Sequence, residues 1–98
     1  MLTKKYYNRN DLKVLGFQNL SFYGNKELNK IFLTANYNAN IGKSTYKISF
    51  TVEADKQKTS SRSIELLCRN MVITLDNFNN MKTTEQRKFA EENGDKID

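Results

Sequence analysis

Between Thr45 and Ala54 the chain alternates without a break: Tyr46, Ile48, Phe50, Val52 and Ala54 are separated by Lys47, Ser49, Thr51 and Glu53. Successive side chains of a strand point to opposite faces, so only an extended strand gathers this apolar set on one side. The segment before it behaves the same way, with Ile31, Leu33, Ala35 and Tyr37 alternating with Phe32, Thr34, Asn36 and Asn38. Asn40-Ile41-Gly42-Lys43 between them has turn chemistry. The pattern predicts a β-hairpin with one face on a core and one toward water. A further short strand around Leu20 and Phe22, closed by Gly24-Asn25, makes an antiparallel sheet of about three strands.

The remainder reads as helix. Asn8 or Asn10 is placed to cap a short helix over 11–15 that ends at Gly16. After the polar loop 55–61, Ile64, Leu67, Cys68, Met71, Val72, Leu75 and Phe78 fall on one stripe of a helix over 62–78, with Leu66 and Ile73 on its far side. The β-branched run Val72-Ile73-Thr74 also admits a strand over 71–75, which the longer helical stripe outweighs. Thr83 with Gln86 fits a capping box for a last helix to Asn93, stopped by Gly94 and packing lightly through Phe89. The expected fold class is α+β: the sheet packed against one long helix, with a short N-terminal helix and a C-terminal helix. The 98 residues are expected to form a single domain, with flexible ends at 1–8 and 94–98.

What the chain lacks narrows its chemistry. Without histidine there is no ordinary base near neutral pH and no common metal ligand. Its single cysteine, Cys68, lies on the apolar helix stripe and reads as a small buried hydrophobe. The only phosphate-loop echo, Gly42-Lys43-Ser44, has Tyr37 where the first glycine should stand, and a strand follows it where a helix is required. We therefore expect a protein that is not an enzyme and has no metal or cofactor. One cysteine, no apolar leader and no run approaching a membrane span suggest a cytoplasmic protein that does not enter a membrane.

The charge is a better guide to function. The net charge of +5 is uneven: residues 1–58 hold ten Lys/Arg against four Asp/Glu, while residues 59–98 hold six against seven. The first part also carries nine of the eleven aromatic residues. Basic and aromatic residues interleaved in this way suit nucleic acid, lysine neutralising phosphate and an aromatic ring stacking on a base. The expected surface is the polar sheet face, with Lys30, Lys43, Lys47, Lys56 and Lys58 on phosphates and Phe32 and Tyr37 stacking. The bias toward asparagine (13) and lysine (12) is common in AT-rich genomes and fits a phage or plasmid regulatory protein. A second reading is a protein-protein interaction module or inhibitor from a mobile element, acting on a host enzyme or defence complex through Leu66 and Ile73; a third is a homodimer through that helix face. Residues 6–17 have some flavour of a helix-turn-helix opening, but Gln18–Tyr23 makes a poor recognition helix.

Overall fold

The computed structural model describes residues 4–97. The elements follow in the order α1 (Arg9–Leu15), β1 (Phe17–Asn25), β2 (Lys30–Ile41), β3 (Ser44–Asp55), α2 (Ser60–Asn79), α3 (Thr83–Asn93) and β4 (Gly94–Lys96). The strands form one antiparallel sheet in the order β1-β2-β3-β4. The class is α+β, as expected. The sheet has four strands where the alternation announced three.

The β2–β3 hairpin is paired along its whole length, from Lys30 opposite Asp55 to Ile41 opposite Ser44. Its turn is the two residues Gly42-Lys43, shorter than the four-residue turn expected. Gly42 has φ +64°, a conformation that a side chain resists and that a two-residue hairpin needs. The register puts Leu33, Ala35, Tyr37 and Ala39 beside Val52, Phe50, Ile48 and Tyr46 on one face. β1 adds Phe17 and Phe22 to that face. An irregularity between Gln18 and Ser21, with Asn19 at φ +55°, shifts its register midway.

All three helices serve the apolar face. Phe50 is its centre: its ring lies 5.9 Å from Phe17, 6.1 Å from Tyr37, 5.7 Å from Phe78 and 5.5 Å from Phe89. One side chain thus joins β1, β2, α2 and α3. α2 is a single helix through Met71–Leu75, so packing of the Leu67, Cys68, Met71, Val72, Leu75 and Phe78 stripe outweighs the β-branched run. Its N-cap is Thr59, whose hydroxyl accepts from the Arg62 N–H at 3.1 Å. Asn8 caps α1 in a reciprocal box with Asp11, and Gly16 closes it at φ +111°.

Of the ends expected to be flexible, residues 1–3 and 98 lie outside the described residues, and the others make the following contacts. Tyr7 is buried, and Ala90 of α3 is fully buried beside the stacked Phe89. The α3 cap lies one residue earlier than Thr83–Gln86 suggested: the Glu85 carboxylate accepts from the Lys82 N–H at 3.2 Å, and Gln86 reaches back to the Phe78 carbonyl. Residues 94–96, expected as a flexible end, pair with Tyr46–Ile48, and the Ile97 N–H donates to the Thr45 carbonyl at 2.9 Å. Gly94 does end the helix, but in extended rather than left-handed backbone. Glycine is required for another reason: a Cβ here would run into the Lys47 carbonyl oxygen and the Ile48 Cα.

Gly94→Ala is therefore expected to cost about 1–3 kcal/mol in urea unfolding, because backbone must move to admit one methyl group. Gly24→Ala, whose Cβ would meet only the Lys30 carbonyl at 3.6 Å, should stay within about 0.5 kcal/mol of the parent.

Candidate nucleic-acid interface

With every helix on one side, the other face of the sheet is open. Gln18, Ser21 and Tyr23 of β1 line it, with Lys30, Phe32, Thr34, Asn36, Asn38 and Asn40 of β2 and the odd-numbered residues 45–55 of β3. Its middle is uncharged. The hydroxyls of Thr34 and Thr51 bond at 3.2 Å, and Thr45 donates to Asn40 at 2.8 Å.

The candidate residues do not share one surface. Lys30 is engaged by carboxylates, 2.8 Å from Asp55 and 3.9 Å from Glu53, and Asp55 chiefly raises its pKa. Tyr37 lies on the opposite face from Phe32, packed on Phe17 at 5.3 Å and near Phe50. Its odd-numbered place in the alternation already put it there. Lys47 stands opposite Asp95 of β4 in register, on a strand that was not foreseen. At ~3.3 Å per residue, Lys47 is about 20 Å along β3 from Glu53, and Lys43 is farther still in the hairpin turn. Counted by register, the open face carries Lys30 and Lys47 against Glu53, Asp55 and Asp95. It is not a basic surface.

Positive charge gathers at the other end of the hairpin, where α2 begins. The loop 56–59 is drawn there by a bond from the Lys56 N–H to the Asn29 carbonyl in the β1–β2 turn. Two clefts flank the first turns of α2 and share Gln57 as a common wall. The first, of about 290 Å³, lies between the N-terminal segment and the helix, among Lys5, Tyr6, Arg62, Glu65, Leu66 and Arg69. The second, of about 500 Å³, lies between the sheet end and the helix. Phe22, Tyr23, Ile31, Ile64 and Leu67 form its apolar walls, and Lys56 and Lys58 stand at it. Lys5, Lys56, Lys58, Arg62 and Arg69 thus line the pair, with Glu65 the one carboxylate among the lining residues.

The aromatic residues here are held by cations. Arg62 and Lys5 lie 5.5 Å and 5.6 Å from the centre of the Tyr6 ring, and Arg9 lies 4.9 Å from that of Phe22. The Arg62 hydrogen bond and the Lys5 charge hold the Tyr6 hydroxyl below its usual pKa. Asp11 is lowered by Lys4, at 2.7 Å, and by the Asn8 N–H. Tyr23 stacks on Phe32 across β1 and β2, with ring centres 5.1 Å apart and planes 11° apart, and is half exposed. Because Tyr23 also walls the second cleft, this aromatic platform joins the basic end.

Of the seven nucleic-acid candidates, Lys56 and Lys58 stand at this end, and Phe32 backs it through Tyr23. Sequence reasoning missed Lys5, Tyr6, Tyr23, Arg62 and Arg69. Arg62 and Arg69 repeat at helical spacing with Leu66 and Ile73, so the four form one outer stripe of α2. Both apolar members are half-buried, and Leu66 walls the first cleft. The phosphate-loop echo is a hairpin turn followed by β3, and residues 17–25 are a strand, so neither a phosphate loop nor a recognition helix forms. Among the described residues no three potential ligands gather as a metal site, and no helix is long and apolar enough to cross a membrane. Comparison of the chain with protein-family models, curated proteins and solved structures gave no match.

Cys68 is fully buried beneath α1, and burial pushes its thiol up to about 11 from 9.0. It should therefore resist a thiol reagent at mildly alkaline pH and react fully only in denaturant. The folded protein keeps a proton that the unfolded chain releases between pH 9 and about 11, so stability should fall as pH rises through that window. Unfolding of Cys68→Ala against the parent across this range isolates the contribution.

Proposed function

We propose that this protein is a small non-catalytic nucleic-acid-binding module, of the kind a phage or plasmid uses for regulation, and that it binds through the end of the molecule where α2 begins. The observation that carries this is the segregation of charge: five cations and one carboxylate line two adjoining clefts, while acidic residues outnumber basic ones on the open sheet face. Arginine and lysine are both present. Lys56 and Lys58 act as mobile point charges, Arg69 offers a planar fork for bidentate contact with phosphate, and Arg62 adds charge while held by Tyr6 and 3.8 Å from Glu65. Contacts of this kind set affinity and position and carry no sequence information.

A second reading, a protein partner with an acidic and apolar surface, is favoured by the outer stripe of α2, where Leu66 and Ile73 alternate with Arg62 and Arg69. A nucleic acid is insensitive to Ile73→Asp beyond the added charge, whereas a helix-face partner loses its apolar anchor.

Binding to labelled DNA and RNA, followed by fluorescence anisotropy over a salt series, tests the proposal. If each lining cation meets a phosphate, log affinity should fall against log salt with a slope of about −3 to −4 for single strands. Lys56→Ala with Lys58→Ala should flatten that slope by about 1.4. Lys43→Ala with Lys47→Ala, at the far end of the hairpin, should leave it unchanged. Binding that is weak at low salt, or lost through Lys43 and Lys47 instead, contradicts the proposal.

A further inference from the structure

We infer that the second cleft and its aromatic rim take an unpaired base, so that the module prefers single-stranded nucleic acid to duplex. This rests on the nucleic-acid reading above and deepens it. Tyr23 and Phe32 are already parallel, 5.1 Å apart, on a strand end that no helix covers. Tyr23 is 50% exposed, so much of its ring remains outside the pair. A base laid on it extends an existing stack and needs no rearrangement.

The cleft beside it has the right chemistry for the same strand. Its volume of about 500 Å³ lies within the ~300–1,000 Å³ of small-ligand sites, and its walls of Phe22, Ile31, Ile64 and Leu67 are apolar. Lys56 and Lys58 line the same cleft, within reach of the phosphates that flank an inserted base. A base within a duplex is stacked on both sides and cannot reach Tyr23 without unstacking; an unpaired base can.

Several polar groups at the cleft bond within the protein. The Thr59 hydroxyl accepts from the Arg62 N–H, the Ser63 hydroxyl accepts from the Gln57 N–H, and the Gln57 side-chain amide donates to the Asp55 carbonyl. Recognition here is stacking on any base and charge on the phosphates that DNA and RNA share, so little sequence preference is expected.

The test compares a labelled single strand of mixed sequence, as DNA and as RNA, with its blunt duplex at one low salt concentration. Anisotropy is read for the full chain, Tyr23→Ala and Tyr23→Phe, with circular dichroism confirming that each is folded. The parent should bind both single strands about tenfold or more tighter than duplex. Tyr23→Ala should weaken single-strand binding by about 5- to 100-fold and leave duplex binding unchanged, while Tyr23→Phe keeps the single-strand affinity within about twofold. Equal affinity for single strand and duplex, or a Tyr23→Ala effect common to both or absent from both, overturns the inference while the charge-based reading stands. No binding to either form overturns both.

Discussion

The ring of Phe50 is the contact on which the rest of the molecule depends. It lies in the middle of the most regular strand and touches aromatic rings from β1, β2, α2 and α3. Replacing a ring so placed with alanine typically costs about 3–5 kcal/mol, a large share of the stability of a small domain. Because strand side chains alternate, seating Phe50 inward fixes which residues of β3 face outward, and the register of β2 then sorts its own residues in the same way. The helices have one face to cover, and the other is left to water.

That division decides where charge collects. The outward residues in the middle of the sheet are uncharged threonine, serine and asparagine, with Thr34 bonded to Thr51 and Thr45 to Asn40, and Lys30 is paired with Asp55 and Glu53. The cations of the two clefts stand on the N-terminal segment, the loop after β3 and the outer stripe of α2. These meet because the Asn29 carbonyl holds the loop against the β1–β2 turn and Tyr6 lies against Arg62. A basic surface thus arises from two stretches far apart in the chain, the N-terminal segment around Lys5 and residues 56–69.

The hairpin, the α1 caps and the long helix were legible because each is written in local chemistry: period-two alternation, the Asn8–Asp11 box closed by Gly16, and a helical stripe. β4 was not. Three polar residues show no period, and their pairing is set by where α3 delivers them. The sign that was available was Gly94 itself, read as a helix stop when its absent side chain serves a close approach to Lys47. The excess of cations was legible in the sequence, and the surface on which it gathers was not. A count of charge over residues 1–58 located the excess but could not see that Lys30 is taken by Asp55, or that Arg62 and Arg69, beyond that span, complete the basic end. Tyr37 needed only the alternation to be applied consistently, since it shares the inward face with Leu33 and Ala35.

The central claim is one of place: ligand meets the end of the molecule where α2 begins. It is tested most directly by following backbone amide resonances while a short unlabelled single strand is added at low salt. The account predicts shifts concentrated on residues 4–9, 22–23 and 56–69, with the hairpin turn at Gly42-Lys43 and the β4 residues Asp95 and Lys96 unmoved. Shifts centred instead on Asn36, Asn38, Lys47 and Ser49 would return the site to the open sheet face and contradict it.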